Sequence, residues 1–113
     1  LTSLNDEDAL ELFHSTTKAQ VAKLFKLANE TGIDGIVCSP LELDLAEQIL
    51  SPQVLKITPG IRDAAVNDDQ SRIMTAKEAI KNGASYLVIG RPISQAPSVS
   101  RALKYFTQSI NEK

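Results

Sequence analysis

The sequence predicts a parallel α/β fold, and within that class about half of a (β/α)8 TIM barrel. Three observations carry this. The runs Gly35-Ile36-Val37-Cys38, Val54-Leu55-Lys56-Ile57-Thr58 and Tyr86-Leu87-Val88-Ile89 are short and apolar without alternation, as in strands covered on both faces. Stretches of helical periodicity separate them, with short connections. A weak internal repeat also sets a helix stop directly before a strand: Thr31-Gly32-Ile33-Asp34-Gly35-Ile36-Val37 resembles Asn82-Gly83-Ala84-Ser85-Tyr86-Leu87-Val88. A complete barrel takes about 250 residues. The 113 residues here supply three whole strands and, in Leu1-Thr2-Ser3, the end of a fourth. The chain has no initiator Met and no linker or low-complexity tract. It reads as a single unit, residues 1–113, cut from something longer.

The elements follow in order. The acidic run Asp6-Glu7-Asp8 fits the exposed first turn of a short helix, where carboxylates complement the helix dipole. Residues 17–31 form the next helix. Thr17 and Gln20 fit a capping box, Val21, Leu24, Phe25 and Ala28 give the inward face, and Gly32 stops it. After the first strand, Ser39 as N-cap, Pro40 at N1 and Glu42 start another helix, with Leu41, Leu45 and Ile49 as its inward stripe. The second strand ends at Pro59-Gly60. A polar stretch from Arg62 to Arg72 follows, long enough for a functional loop. Thr75 and Glu78 cap a helix that carries Ala79 and Ile80 and stops at Gly83. The last helix begins near Ser98 and presents Val99, Leu103, Phe106 and Ile110 on one face.

Composition narrows the function. A net charge of −2 leaves no basic excess to neutralise a nucleic-acid backbone, so nucleic acid is excluded as the main partner. No apolar run approaches the ~20 residues that cross a bilayer, so no membrane span is expected. The opening has no signal-peptide pattern. The one cysteine, Cys38, cannot form an internal disulfide, and a cytoplasmic setting is expected.

Two segments carry the candidate chemistry. In Thr58-Pro59-Gly60-Ile61-Arg62 and in Leu87-Val88-Ile89-Gly90-Arg91-Pro92-Ile93, an apolar strand runs into Gly and then Arg. Gly lets backbone N–H groups approach an anion closely, and Arg supplies a planar cation, so the pair suits one phosphorylated small molecule. From spacing alone, Gly90-Arg91 reads equally as a phosphate grip or as a strand-to-helix turn with a solvated Arg. Arg62 reads as a surface charge after a Pro-Gly turn, or as a second grip. Gln70 by itself is a polar loop residue. Lone His14 has no partner at metal or triad spacing and reads as a surface or capping residue. Cys38 reads as core packing, Asp68 and Asp69 as solvated loop carboxylates, and Lys56 as structural, because it lies at the start of its strand.

Five segments, in order and across essentially the whole chain, resemble orotidine 5′-phosphate decarboxylase. They are Leu1-Thr2-Ser3, Asp34-Gly35-Ile36-Val37-Cys38-Ser39, Ile57-Thr58-Pro59-Gly60-Ile61-Arg62, Asp69-Gln70-Ser71-Arg72-Ile73-Met74-Thr75, and Leu87-Val88-Ile89-Gly90-Arg91-Pro92-Ile93. The resemblance implies that Arg91 and the amides of Gly90 and Arg91 hold a phosphate, with Arg62 in the same nucleotide-binding set. It implies that Gln70 bridges phosphate and pyrimidine, that Thr2 and Ser3 meet the pyrimidine edge, and that Pro59 walls the base. The stretch from Asp63 to Gln70 is the expected closing loop.

The implied reaction is loss of carbon dioxide from C6 of the pyrimidine through a carbanion-like centre protonated by lysine, converting orotidine 5′-phosphate to uridine 5′-phosphate with no metal or organic cofactor. A homodimer with active sites near the subunit interface is also implied. The family's Asp-x-Lys-x-x-Asp motif and preceding Lys do not occur in this sequence. The chain therefore resembles the substrate-gripping half and is expected to be inactive alone. Two rivals remain on these residues: a lyase or aldolase acting on a pentulose or hexulose phosphate, and a non-catalytic phosphate-binding half barrel.

Overall fold

A computed structural model describes residues 2–62 and 74–111. Helices α1 (Asp6–Phe13) and α2 (Thr17–Thr31) precede strand β1 (Gly35–Val37). A 3-10 turn (Pro40–Glu42) leads into α3 (Leu43–Ile49), then β2 (Leu55–Thr58), α4 (Ala76–Lys81) and β3 (Tyr86–Leu87). Helices α5 (Arg91–Ser94) and α6 (Val99–Asn111) follow. The strands form a parallel sheet in the order β1-β2-β3, with Gly35 paired to Leu55, Val37 to Ile57, and Ile57 to Tyr86.

The sequence signals that end helices act as expected. Gly32 caps α2 at φ 70°, and Gly83 follows α4 at φ 108°. Each strand starts three residues after its glycine, so the internal repeat is a repeat of structure. Thr75 accepts from the Glu78 N–H, and the Glu78 carboxylate accepts from the Thr75 N–H, which completes the box on α4. The acidic run forms the first turn of α1, capped by Asn5, whose Oδ1 accepts from the Asp8 N–H at 2.9 Å.

Several expectations are corrected. The cap of α2 is Thr16, which accepts from the Ala19 N–H at 3.1 Å. Thr17 is buried one position on, where its N–H donates to Asp6 Oδ1 at 2.9 Å and ties α2 to α1. In α3, Leu43 and Ala46 are buried while Leu41 is 56% exposed. The 3-10 turn winds at about three residues per turn, which rotates Leu41 off the stripe that a continuous α-helix would give it. In α6 only Phe106 is buried, and Val99, Leu103 and Ile110 stay exposed. No fourth strand is formed by Thr2 and Ser3, which lie in a turn leading directly to the cap of α1.

The strands are not covered on both faces. Among the described residues helices pack on one side only: Ile36, Cys38, Leu87 and Ile89 join Val21, Phe25, Leu43, Ala46, Ala79 and Phe106 in the core. On the other side, Gly35 lies over Leu55 and Ile57, close enough that a Cβ there would sit 3.3 Å from Leu55 Cβ. Pairing continues this row through Val37 and Tyr86, which are 65% and 61% exposed. We call it the inner face. The molecule measures 42 × 32 × 18 Å, and the short dimension holds one sheet and one helical layer.

Lys56 belongs to the helix side. It is buried, and its Nζ reaches Glu47 Oε1 of α3 at 2.6 Å. Its N–H donates to Ser85 Oγ at 3.0 Å, which ties β2 to the start of β3. A structural role agrees with this placement. Cys38 is buried in the core, and His14 is exposed as the C-cap of α1.

Candidate functional site

In a parallel sheet all C-terminal strand ends share one edge, so the two Gly-Arg segments meet there whatever lies between them in sequence. β2 runs into Pro59 and Gly60, the latter at φ 78°, a backbone angle that glycine adopts without strain. Ile61 and Arg62 follow, both buried. The Arg62 N–H donates to Met74 O at 3.0 Å, and the Met74 N–H donates to Gly60 O at 3.2 Å. With the parallel bridge between Ile61 and Met74, these bonds tie the exit of β2 to the approach to α4. Gln70 and the expected Asp63–Gln70 loop lie outside the described residues, as do Asp68 and Asp69.

β3 runs into Gly90, the cap of α5, whose carbonyl accepts from the N–H groups of Ile93 and Ser94 at 3.0 Å each. Arg91 is the first residue of α5, with Pro92 next, where a missing N–H costs nothing. Gly90 and Arg91 are exposed, and among the described residues nothing beyond its own chain neighbours lies within 4 Å of where a Gly90 Cβ would be. The backbone at this turn is therefore open to approach from outside.

Arg62 differs. It is only 6% exposed, and its Nη1 donates to Ile61 O at 2.7 Å. The surface-charge alternative is thereby corrected: the guanidinium is buried and bound to a main-chain carbonyl, out of bulk water. Pro59 is half-buried and follows Thr58 on the alternating strand, in line with the inner-face row. Thr2, half-buried, and Ser3, exposed, precede α1. Asn5 and Asp6, at the start of α1, share a groove of about 560 Å³ with Thr17, Lys18, Leu41, Glu42 and Leu45. Gly90 and Arg91 lie beyond β3.

Two buried hydroxyls at this edge carry no signal in the sequence that marks them. Ser39 Oγ and Thr58 Oγ1, at the ends of β1 and β2, are fully buried and have no hydrogen-bond partner among the described residues. Ser39 occupies the cap position, and the Glu42 carboxylate accepts from its N–H at 3.2 Å. The tight 3-10 turn instead sends the Glu42 N–H to Ser39 O, at 3.0 Å. Among the described residues no cluster of three or more His, Cys, Asp or Glu side chains could hold a metal ion.

Residues 1–106 match the Orotidine 5′-phosphate decarboxylase / HUMPS family. The chain belongs to that family. It is 45% identical over 112 residues to the orotidine 5′-phosphate decarboxylase of Nitrosomonas europaea, covering 97% of this chain and 48% of that one. With the Saccharophagus degradans decarboxylase, identity is 47% over 106 residues, covering 92% of this chain and 44% of the relative. Among solved structures, the Lactobacillus acidophilus decarboxylase superposes with a TM-score of 0.78 at 34% identity, covering 99% of this chain and 46% of that one. The Pyrococcus horikoshii decarboxylase gives 0.70 at 26% identity, covering 94% and 47%. The chain thus spans about half the length of the relatives it matches. No helix among the described residues is long and apolar enough to cross a membrane.

Proposed function

We propose that this chain is the nucleotide-gripping half of an orotidine 5′-phosphate decarboxylase, serving pyrimidine synthesis in the cytoplasm as part of a homodimer. The observation that carries the reading is the exposed Gly90–Arg91 turn opening α5 at the end of β3, one strand away from Arg62 at the end of β2. In this reading Arg91 and the neighbouring amides take the phosphate by charge-assisted hydrogen bonds. Arg62, buried and held against the neighbouring backbone, adds positive potential at the end of β2. Gln70 bridges phosphate and pyrimidine, Pro59 walls the base, and Thr2 and Ser3 meet its polar edge.

The phosphate is remote from the carbon that loses carbon dioxide. Its binding energy still lowers the barrier if the grip is completed only as the site closes. The groups that handle the proton belong to the Asp-x-Lys-x-x-Asp segment of the family, which this sequence does not contain. The relatives named above are decarboxylases, which favours this substrate over an open-chain sugar phosphate.

Titration with uridine 5′-phosphate, followed by NMR of the backbone amides, tests the grip. The Gly90 and Arg91 resonances should shift, and ribose 5-phosphate should compete only weakly. Arg91→Ala should weaken binding at least tenfold, about 1.4 kcal/mol, the scale of a charge-assisted hydrogen bond. Unmoved resonances at Gly90 and Arg91 would refute the assignment. The chain alone should not decarboxylate orotidine 5′-phosphate, and turnover at enzyme rates would contradict the division of labour.

A further inference from the structure

We propose that Asp6 is a positioning residue for Thr2 and Ser3: its carboxylate fastens the start of α1 to α2, and so sets the place of the two residues that meet the base. This rests on the proposed contact of Thr2 and Ser3 with the pyrimidine edge, and it makes preference for a base depend on a residue outside that contact.

The bond joins two helices. Asp6 Oδ1 accepts from the Thr17 N–H at 2.9 Å, across a separation of 11 residues. Thr17 is the first residue of α2, so its N–H is one of the donors that no carbonyl of its own helix can reach. Thr17 is only 5% exposed, where an unpaired donor is costly. A carboxylate at this end of a helix also complements its dipole, and an ionised acceptor makes the stronger hydrogen bond. α2 in turn is anchored in the core by Val21 and Phe25.

α1 brings little apolar anchorage of its own. Of its eight residues only Ala9 is buried, while Leu10, Leu12 and Phe13 stay exposed. An alanine buries little area, so the polar tie weighs heavily in placing the helix. From Asp6 back to Ser3 the chain is short and stiff. Asn5 Oδ1 accepts from the Asp8 N–H at 2.9 Å, and Asp8 Oδ2 accepts from the Asn5 N–H at 3.3 Å, so the cap and the first turn move as one piece. Thr2 and Ser3 lie in the turn just before this cap, and the three residues from Ser3 to Asp6 span at most about 10 Å. Groups already held in place lose less freedom when a ligand binds. Gly90 and Arg91 open α5, beyond β3, so loosening α1 should spare the phosphate.

The test compares uridine 5′-phosphate with ribose 5-phosphate, which has the phosphate and no base, by NMR titration of the chain and of three variants. Asp6→Ala should weaken uridine 5′-phosphate by about fivefold or more and ribose 5-phosphate by less than about twofold. It should also shift the Thr2 and Ser3 amides of the free chain. Asp6→Asn keeps an oxygen that can accept from the Thr17 N–H, and should stay within about twofold of the unaltered chain for both ligands. Thr16→Ala removes the hydroxyl that accepts from the Ala19 N–H at the same end of α2. It weakens the helix without touching the tie, and should leave the ratio of the two affinities unchanged. Equal losses for both ligands in Asp6→Ala, unmoved Thr2 and Ser3 amides, the same change of ratio in Thr16→Ala, or no recovery in Asp6→Asn would each overturn the proposal. Uridine 5′-phosphate held no better than ribose 5-phosphate by the unaltered chain would refute the base-edge reading, and the proposal with it. A preference that exists and survives Asp6→Ala would refute the proposal alone.

Discussion

Lys56 is a buried cation that needs its partner. Its ammonium is held by Glu47, whose side chain remains 57% exposed, so the pair is half solvated and contributes less than a fully buried one. Gly83 is coupled to it. A Cβ at position 83 would stand 2.6 Å from Glu47 Oε1, and the backbone there has φ 108°. Gly32 has φ 70° and nothing within 4 Å. Gly83→Ala should therefore cost about 2–4 kcal/mol, combining backbone strain with displacement of Glu47 from Lys56. Gly32→Ala should cost about 1 kcal/mol, from strain alone. Urea unfolding of the two variants checks this, and equal losses would contradict it. Both glycines are legible in sequence as helix stops. The carboxylate waiting beside Gly83 is not, because it comes from α3, a βα unit earlier. Arg62 is illegible in the same way: its position at a strand end can be read, but its burial depends on what covers the mouth.

At the scale of elements, caps and stops survive translation from sequence because they are local. Thr75→Ala removes the hydroxyl that accepts from the Glu78 N–H on the six-residue α4. It should lower stability by about 1 kcal/mol, with the thermal midpoint falling by a few degrees. Restoration by Ser but not by Val would identify the hydrogen bond as the cause. Where local signals compete, the reading slips. Thr16 and Thr17 are both plausible caps, and the choice is made by Asp6, which claims the Thr17 N–H from another helix. Leu41 falls off its stripe because three residues of tighter winding precede α3. Parallel order, in contrast, follows from apolar strand runs joined by helices, and it brings Gly60, Arg62, Gly90 and Arg91 to one edge without any knowledge of distance.

For the whole molecule, the run of apolar residues in each strand was a correct sign of a barrel and a poor guide to burial here. An apolar side chain does not state which neighbour will cover it. Val37 and Val88 are suited to an enclosed interior yet lie open in this chain. Val37→Ser with Val88→Ser should thus leave the thermal midpoint within about 2 °C, because little burial is lost, while reducing binding of an apolar dye. A large fall in the midpoint would show that the inner face already supports the fold. Helix-side residues such as Leu43 and Ala79 should be far less tolerant.

The two main-chain bonds joining Gly60, Arg62 and Met74 have an evolutionary consequence. They work like a clasp: the exit of β2 and the approach to α4 are fastened directly to each other through main-chain atoms, which the side chains at 62 and 74 do not supply. Selection for a different ligand can then exchange the side chain at 62 while the joint itself is inherited unchanged.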